Sequence, residues 1–124
     1  MRILVLLLIL AVVLLYAQSA TTAKKISAAE AHKMMQELKD YIILDVRTEK
    51  EFKEIRIDKA ILIPDFELKQ RAKKELTDKN QVILIYCRSG RRSAISAVIL
   101  AELGYSNVYD FGGIINWPYE TVKG

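Results

Sequence analysis

Val82-Ile83-Leu84-Ile85-Tyr86-Cys87-Arg88-Ser89-Gly90-Arg91-Arg92-Ser93, with the apolar run that follows it to Gly104, is the stretch that decides the fold. Its first five residues are apolar, mostly β-branched or aromatic, and they end at the only cysteine in the chain. Such a run reads as a strand buried on both faces. Beyond the polar loop, Ile95, Val98, Ile99 and Ala101-Glu102-Leu103 recur at spacings of three and four, which predicts a helix from Ser93 to Leu103 stopped by Gly104. A lone thiol is therefore expected in a short loop between a buried strand and the N-terminus of a helix.

That placement has chemical consequences. A helix N-terminus presents unpaired N–H groups and about half a positive charge. Arg88, Arg91 and Arg92 add guanidinium charge within five residues of the sulfur. Both effects favour thiolate over thiol, and the N–H groups of the loop form a cradle for an anion. The residues suggest a nucleophilic sulfur acting on a small, negatively charged substrate. The plain alternative is an inert buried cysteine beside solvated arginines. The coincidence of strand end, glycine loop, three arginines and helix start weighs against it.

Upstream, Met1-Arg2 precedes fourteen uncharged residues, Ile3 to Tyr16, and then Ala17-Gln18-Ser19. One basic residue, a short apolar run and a small-x-small site read as a secretory signal peptide over 1–19. As a helix the run reaches only about 21 Å, short of a ~30 Å hydrocarbon core. A retained membrane anchor through residues 3–17 is the alternative. A buried core helix is disfavoured because nothing polar interrupts the run. The protein is thus expected to be exported, either free (periplasmic or extracellular) or held at the outer face of the cytoplasmic membrane. Residues 20–25 read as a polar linker and 26–124 as one domain. The formal net charge of +4 is mild, and no aromatic–basic interleaving supports a nucleic-acid surface. A single cysteine in an exported chain is an intermolecular link or a free reactive thiol, and the loop favours the second. A monomer is expected.

The rest of the chain alternates. Ser27 and Glu30 form a capping box opening a helix to about Leu38, with Ala31, Met34, Met35 and Leu38 inward. His32 in that helix is read as an exposed residue, not a catalytic base. Tyr41 to Val46 is a strand ending in Asp45-Val46-Arg47. Thr48 and Glu51 form a second capping box for a short helix to about Ile55. Ala60 to Ile63 is a third apolar run ended by Pro64, and Asp65 is expected to cap a helix to about Leu76. Asn107 to Tyr109 reads as a short strand, Gly112-Gly113 as flexible punctuation, and Ile114 to Trp117 as one helical turn before Pro118. Alternating strands and helices predict an α/β fold with a parallel, helix-covered sheet, its reactive loop at the carboxyl edge.

Leu44-Asp45-Val46-Arg47-Thr48-Glu49-Lys50-Glu51-Phe52 resembles the LDVR-x-x-x-E-[FY] segment of rhodanese-like domains. Cys87 to Ser93 resembles that family's CRSG-x-RS active-site loop, and Gly112-Gly113-Ile114 with Trp117 its GG-x-x-x-W element. The resemblance covers about Ile26 to Trp117. It implies a rhodanese-like parallel sheet of four to five strands with helices on both faces. It also implies a thiosulfate sulfurtransferase that moves sulfane sulfur through a persulfide on Cys87. Its partners would be a small anionic sulfur donor and a thiophilic acceptor. Arg88, Ser89, Gly90, Arg91, Arg92 and Ser93 would bind substrate, with Arg92 equally suited to a structural role. Asp45 and Arg47 would support the loop as an ion pair, and Trp117 would pack at the pocket rim. No cofactor or metal is expected. One segment departs. Where the family has GHI-x-GA-x-N-[IV]-P, this chain has Ile55-Arg56-Ile57-Asp58-Lys59-Ala60-Ile61-Leu62-Ile63-Pro64, with Lys59 in place of the second glycine. An altered binding groove is expected there.

Three other readings are weighed. A non-catalytic rhodanese-like binding module has no need of an intact Cys87. Cysteine phosphatases place arginine six residues after the cysteine, where this chain has Ser93. An intramolecular dithiol mechanism lacks its second cysteine.

Overall fold

The structure is a computed structural model. It describes the backbone of residues 1–19 and 23–124, and side chains of the first helix only as far as residue 13. Helices are α1 (Arg2–Ser19), α2 (Ala28–Glu37), α3 (Glu49–Glu54), α4 (Leu68–Glu75) and α5 (Arg91–Glu102); strands are β1 (Lys24–Lys25), β2 (Ile42–Asp45), β3 (Ile61–Leu62), β4 (Val82–Cys87) and β5 (Asn107–Gly113). The five strands form one sheet in the order β1-β5-β4-β2-β3, with every pairing parallel.

Central β4 shows why the sheet forms. Its residues are buried from Ile83 to Cys87, and successive side chains serve opposite faces. Ile83, Ile85 and Cys87 enter a core with Leu68, Ala72, Ala97 and Leu100 from α4 and α5. Leu84 and Tyr86 enter a second core with Ala31 of α2, Phe111 and Trp117. Each fully buried Leu or Ile is worth about 2 kcal/mol, and a strand feeding two cores must be apolar throughout. Both expected capping boxes are formed: Ser27 Oγ accepts from Glu30 N, and Thr48 Oγ1 from Glu51 N.

Several expectations need correction. Lys24-Lys25, assigned to the linker, form edge strand β1, in register with Tyr109 and Asp110; residues 20–22 of that linker lie outside the described residues. Leu38 caps α2 and is 37% exposed, because the helix ends one residue before it can turn inward. Asp65 opens a 3-10 turn, Asp65–Glu67; its side chain accepts from the adjacent Phe66 N and its carbonyl from Leu68 N, and α4 follows without a side-chain cap. The buried face of α5 is Ser93, Ser96, Ala97 and Leu100, while Ile95 and Val98 are 56% and 52% exposed. The sheet selects the stripe of small residues because they let the helix axis come close. β5 runs through Gly113, past the expected end at Tyr109.

Met1 and residues 2–13 of α1 are exposed. Among the described residues, no helix is long and apolar enough to cross a membrane.

Candidate active site

Cys87 ends β4 at the carboxyl edge of the sheet and is only 1% exposed. The chain then turns through Gly90, whose φ of +106° lies in the left-handed region and leads directly into α5. A side chain there would be strained, so glycine is required. The turn folds the backbone over the sulfur: Gly90 N–H donates to Cys87 Sγ at 3.0 Å. The Cys87 thiol donates in turn to Ser93 Oγ at 3.4 Å. Ser93 is fully buried one turn into α5, and its hydroxyl has two carbonyl acceptors in reach, Gly90 O at 3.2 Å and Gly112 O at 3.4 Å. The sulfur therefore sits against one backbone N–H, one rotatable hydroxyl and the N-terminal end of a twelve-residue helix. A backbone N–H donor and a helix N-terminus are arrangements that favour an anion.

The three arginines separate. Arg88 and Arg91 are exposed, and among the described residues their side chains make no hydrogen bond or ion pair. Arg92, expected to bind substrate or brace the loop, is engaged. Its Nη1 and Nη2 donate to Glu51 Oε1 and Oε2 at 2.7 and 2.9 Å. This fork ties the start of α5 to α3, and Glu51 simultaneously accepts from Thr48 N as part of its capping box. The Arg92 hydrogen bonds hold the Glu51 carboxyl down at about 2, and Glu51 in turn raises the Arg92 pKa.

Asp45 and Arg47 are buried at 0% and 2% exposure and meet through three side-chain hydrogen bonds of 2.7 to 3.1 Å. Arg47 Nη2 also donates to Ile55 O at 2.5 Å, so the pair closes the loop between β2 and the residues after α3. Burial works against the Arg47 charge, but Asp45 outweighs it and raises the pKa. Tyr86 packs against the same pair, and its hydroxyl accepts from Ile57 N at 3.1 Å. Burial, helped by Asp45, pushes its phenol up.

Three contributors are not legible as site residues in the sequence. Glu51 reads there as a capping residue and as the acid of the LDVR-x-x-x-E segment, with no role at the site. Gly112 and Gly113, read as flexible, are held: Gly112 N donates to Asp110 Oδ1, and Gly113 lies directly beneath the loop. A Cβ on Gly113 would stand 2.1 Å from Arg88 O and 2.6 Å from Ser89 Cα. Ile115 N then donates to Arg88 O at 3.2 Å, fastening the loop from the far side. His32, read as exposed, is half-buried and stacks on Tyr119 at 3.7 Å between ring centres, away from the loop. Trp117 packs edge-on to both rings and against Phe111.

The family model "Rhodanese-like domain" matches residues 27–118. Thiosulfate sulfurtransferase PspE of Escherichia coli is 36% identical over 81 residues, covering 65% of this chain and 78% of that protein. Thiosulfate sulfurtransferase GlpE of Coxiella burnetii is 33% identical over 95 residues, covering 76% and 86%. Of two other relatives, both longer proteins, the chain spans 20% and 28%. Among solved structures, a rhodanese with anions from E. coli superposes with a TM-score of 0.64 at 34% identity, covering 68% of this chain and 99% of that one. With a single-cysteine loop closed over by Gly90 and a five-stranded parallel sheet behind it, this chain belongs to the rhodanese-like family and is of the sulfurtransferase type.

Proposed function

We propose that the protein transfers sulfane sulfur from thiosulfate, or a donor like it, to a thiophilic acceptor through a persulfide on Cys87. The Cys87 thiolate attacks the outer sulfur of the donor; the Cys87 S–S bond forms as the donor S–S bond breaks, and sulfite leaves with the electron pair. Charge is conserved, because thiolate and dianionic donor give an anionic persulfide and dianionic sulfite. An acceptor nucleophile then takes the terminal sulfur and restores the thiolate.

The observation that carries this reading is the hydrogen bond from Gly90 N–H to Sγ at the N-terminal end of α5. Such a donor stabilises an anionic sulfur without a general base, as an oxyanion hole does for oxygen. Ser93 supplies a second donor once the thiol proton is gone, by turning its hydroxyl from the Gly90 or Gly112 carbonyl toward sulfur. Burial of Cys87 restricts the donor to one that presents sulfur as a terminal atom. Arg88 and Arg91 draw the anionic donor to the loop, while Arg92 braces it from Glu51. Asp45 and Arg47 support the strand end behind it. In this reading residues 1–19 direct export or hold the protein at the outer face of the membrane, and the N-terminal residue of protein from native cells tests that.

Intact mass after incubation with thiosulfate is the direct test of the chemistry. A gain of about 32 Da, one sulfur atom, lost on adding cyanide and absent from Cys87→Ser, supports sulfur transfer. No adduct, together with turnover of an aryl phosphate, would replace it with phosphatase chemistry; no adduct and no turnover would leave a binding module.

A further inference from the structure

On the face of the sheet covered by α2, a groove runs between that helix, the residues after α3 and the C-terminal segment. It has two adjoining lobes of about 760 and 390 Å³. The size of the larger falls within the range of small-molecule sites. The larger lobe is walled by His32, Trp117 and Tyr119, which are locked together by ring packing. Met35, Tyr41, Ile43 and Lys59 line both lobes and so mark their junction.

Lys59 is the unusual member. Its φ is +68°, and among the described residues it is the only non-glycine with a positive φ. Glycine takes that conformation freely and a lysine does not, and backbone strain of this kind concentrates at functional sites. Here the strained position holds an ammonium group at the junction of the groove. Tyr41, which lines the same two lobes, carries a hydroxyl, and among the described residues neither side chain's polar group has a hydrogen-bond partner. Over an apolar floor of Met35 and Ile43 these two donors, with Lys39 and Asp40 also lining the smaller lobe, suit one acceptor-only group, a carboxylate. Asp58 and Glu120 line the larger lobe and repel a second negative charge.

We propose that this groove is a second ligand site, taking a small aromatic monocarboxylate with its carboxylate between Lys59 and Tyr41 and its ring against the His32–Trp117–Tyr119 wall. The inference does not depend on sulfur transfer at Cys87.

The chain holds one histidine and one tryptophan, and both stand in this wall. Titrating the full chain with 3-phenylpropionate is therefore read directly by Trp117 emission and the His32 ring-proton resonances. Saturable change in both signals is expected. The uncharged 3-phenylpropionamide should bind about tenfold more weakly, the scale of one charge-assisted hydrogen bond. Lys59→Gly should lose the same factor while its melting temperature holds or rises, since glycine relieves the left-handed backbone. No response to about 10 mM carboxylate, well beyond the range of a specific small-ligand site, would overturn the proposal. So would equal binding of acid and amide, or Lys59→Gly binding as well as the parent.

Discussion

Glu51 and Arg92 stand 41 residues apart and meet through two parallel hydrogen bonds of 2.7 and 2.9 Å, joining the first turn of α3 to the first turn of α5. The same carboxylate accepts from the backbone and hydroxyl of Thr48. One side chain thus caps one helix and fixes the start of the helix that carries the reactive loop. It also neutralises one of the three arginines near the sulfur.

Glu51→Gln should weaken both jobs, and the loss should depend on pH. The parent carboxyl lies at about 2, below its usual 4.5. Its contribution is then fully present above about pH 4.5 and vanishes as the pH falls through 2. With 21% of the side chain reaching solvent, that contribution is on the order of 2 kcal/mol. Urea unfolding at pH 7 should show the variant less stable by this amount, with the two proteins converging as the pH approaches 2. A gap that is constant over the whole range contradicts the assignment.

Gly113→Ala and Gly112→Ala separate steric from conformational demands. At Gly113 a Cβ meets Arg88 O at 2.1 Å, so the loop must move; about 2–3 kcal/mol of stability and most persulfide loading should be lost. At Gly112 nothing lies within 4 Å, but φ is +89°, so the cost is about 1 kcal/mol of backbone strain. Melting curves with intact-mass loading should rank the two variants in that order.

Asp45→Asn leaves the Arg47 charge buried with one partner fewer. A destabilisation of about 3–5 kcal/mol is expected. Replacing both together, Asp45→Asn with Arg47→Met, should cost less than the single change, since no uncompensated charge remains. Denaturant midpoints of the two variants decide the matter.

Arg88→Ala and Arg91→Ala should leave melting temperature and kcat nearly unchanged and raise the KM for thiosulfate by about three- to tenfold at low salt, because both side chains are exposed and have no partner among the described residues. The difference should shrink toward 1 M salt, where the screening length falls to about 3 Å. A salt-independent defect would point to a direct contact in the transition state.

Ser96 Oγ is a buried hydroxyl without a hydrogen-bond partner among the described residues. Ser96→Ala removes an unsatisfied polar group and little volume, so it should be neutral or stabilise by up to about 1 kcal/mol. A fall in melting temperature would mean that the hydroxyl has a partner after all.

The sequence by itself determined whatever depends on near neighbours. Two capping boxes close over three residues. The unbroken apolar run of β4 requires burial on both faces, and one cysteine is placed between a strand end and a helix start by the residues on either side of it. Only the tertiary structure decided which arginine is occupied, which face of α5 is buried, and that Gly113 is needed for contact and not for flexibility. Those answers belong to pairs such as Glu51–Arg92 and Arg88–Gly113, which parallel crossovers bring together from distant parts of the chain. A local pattern records each residue's own preference, but not which partner the sheet will set beside it.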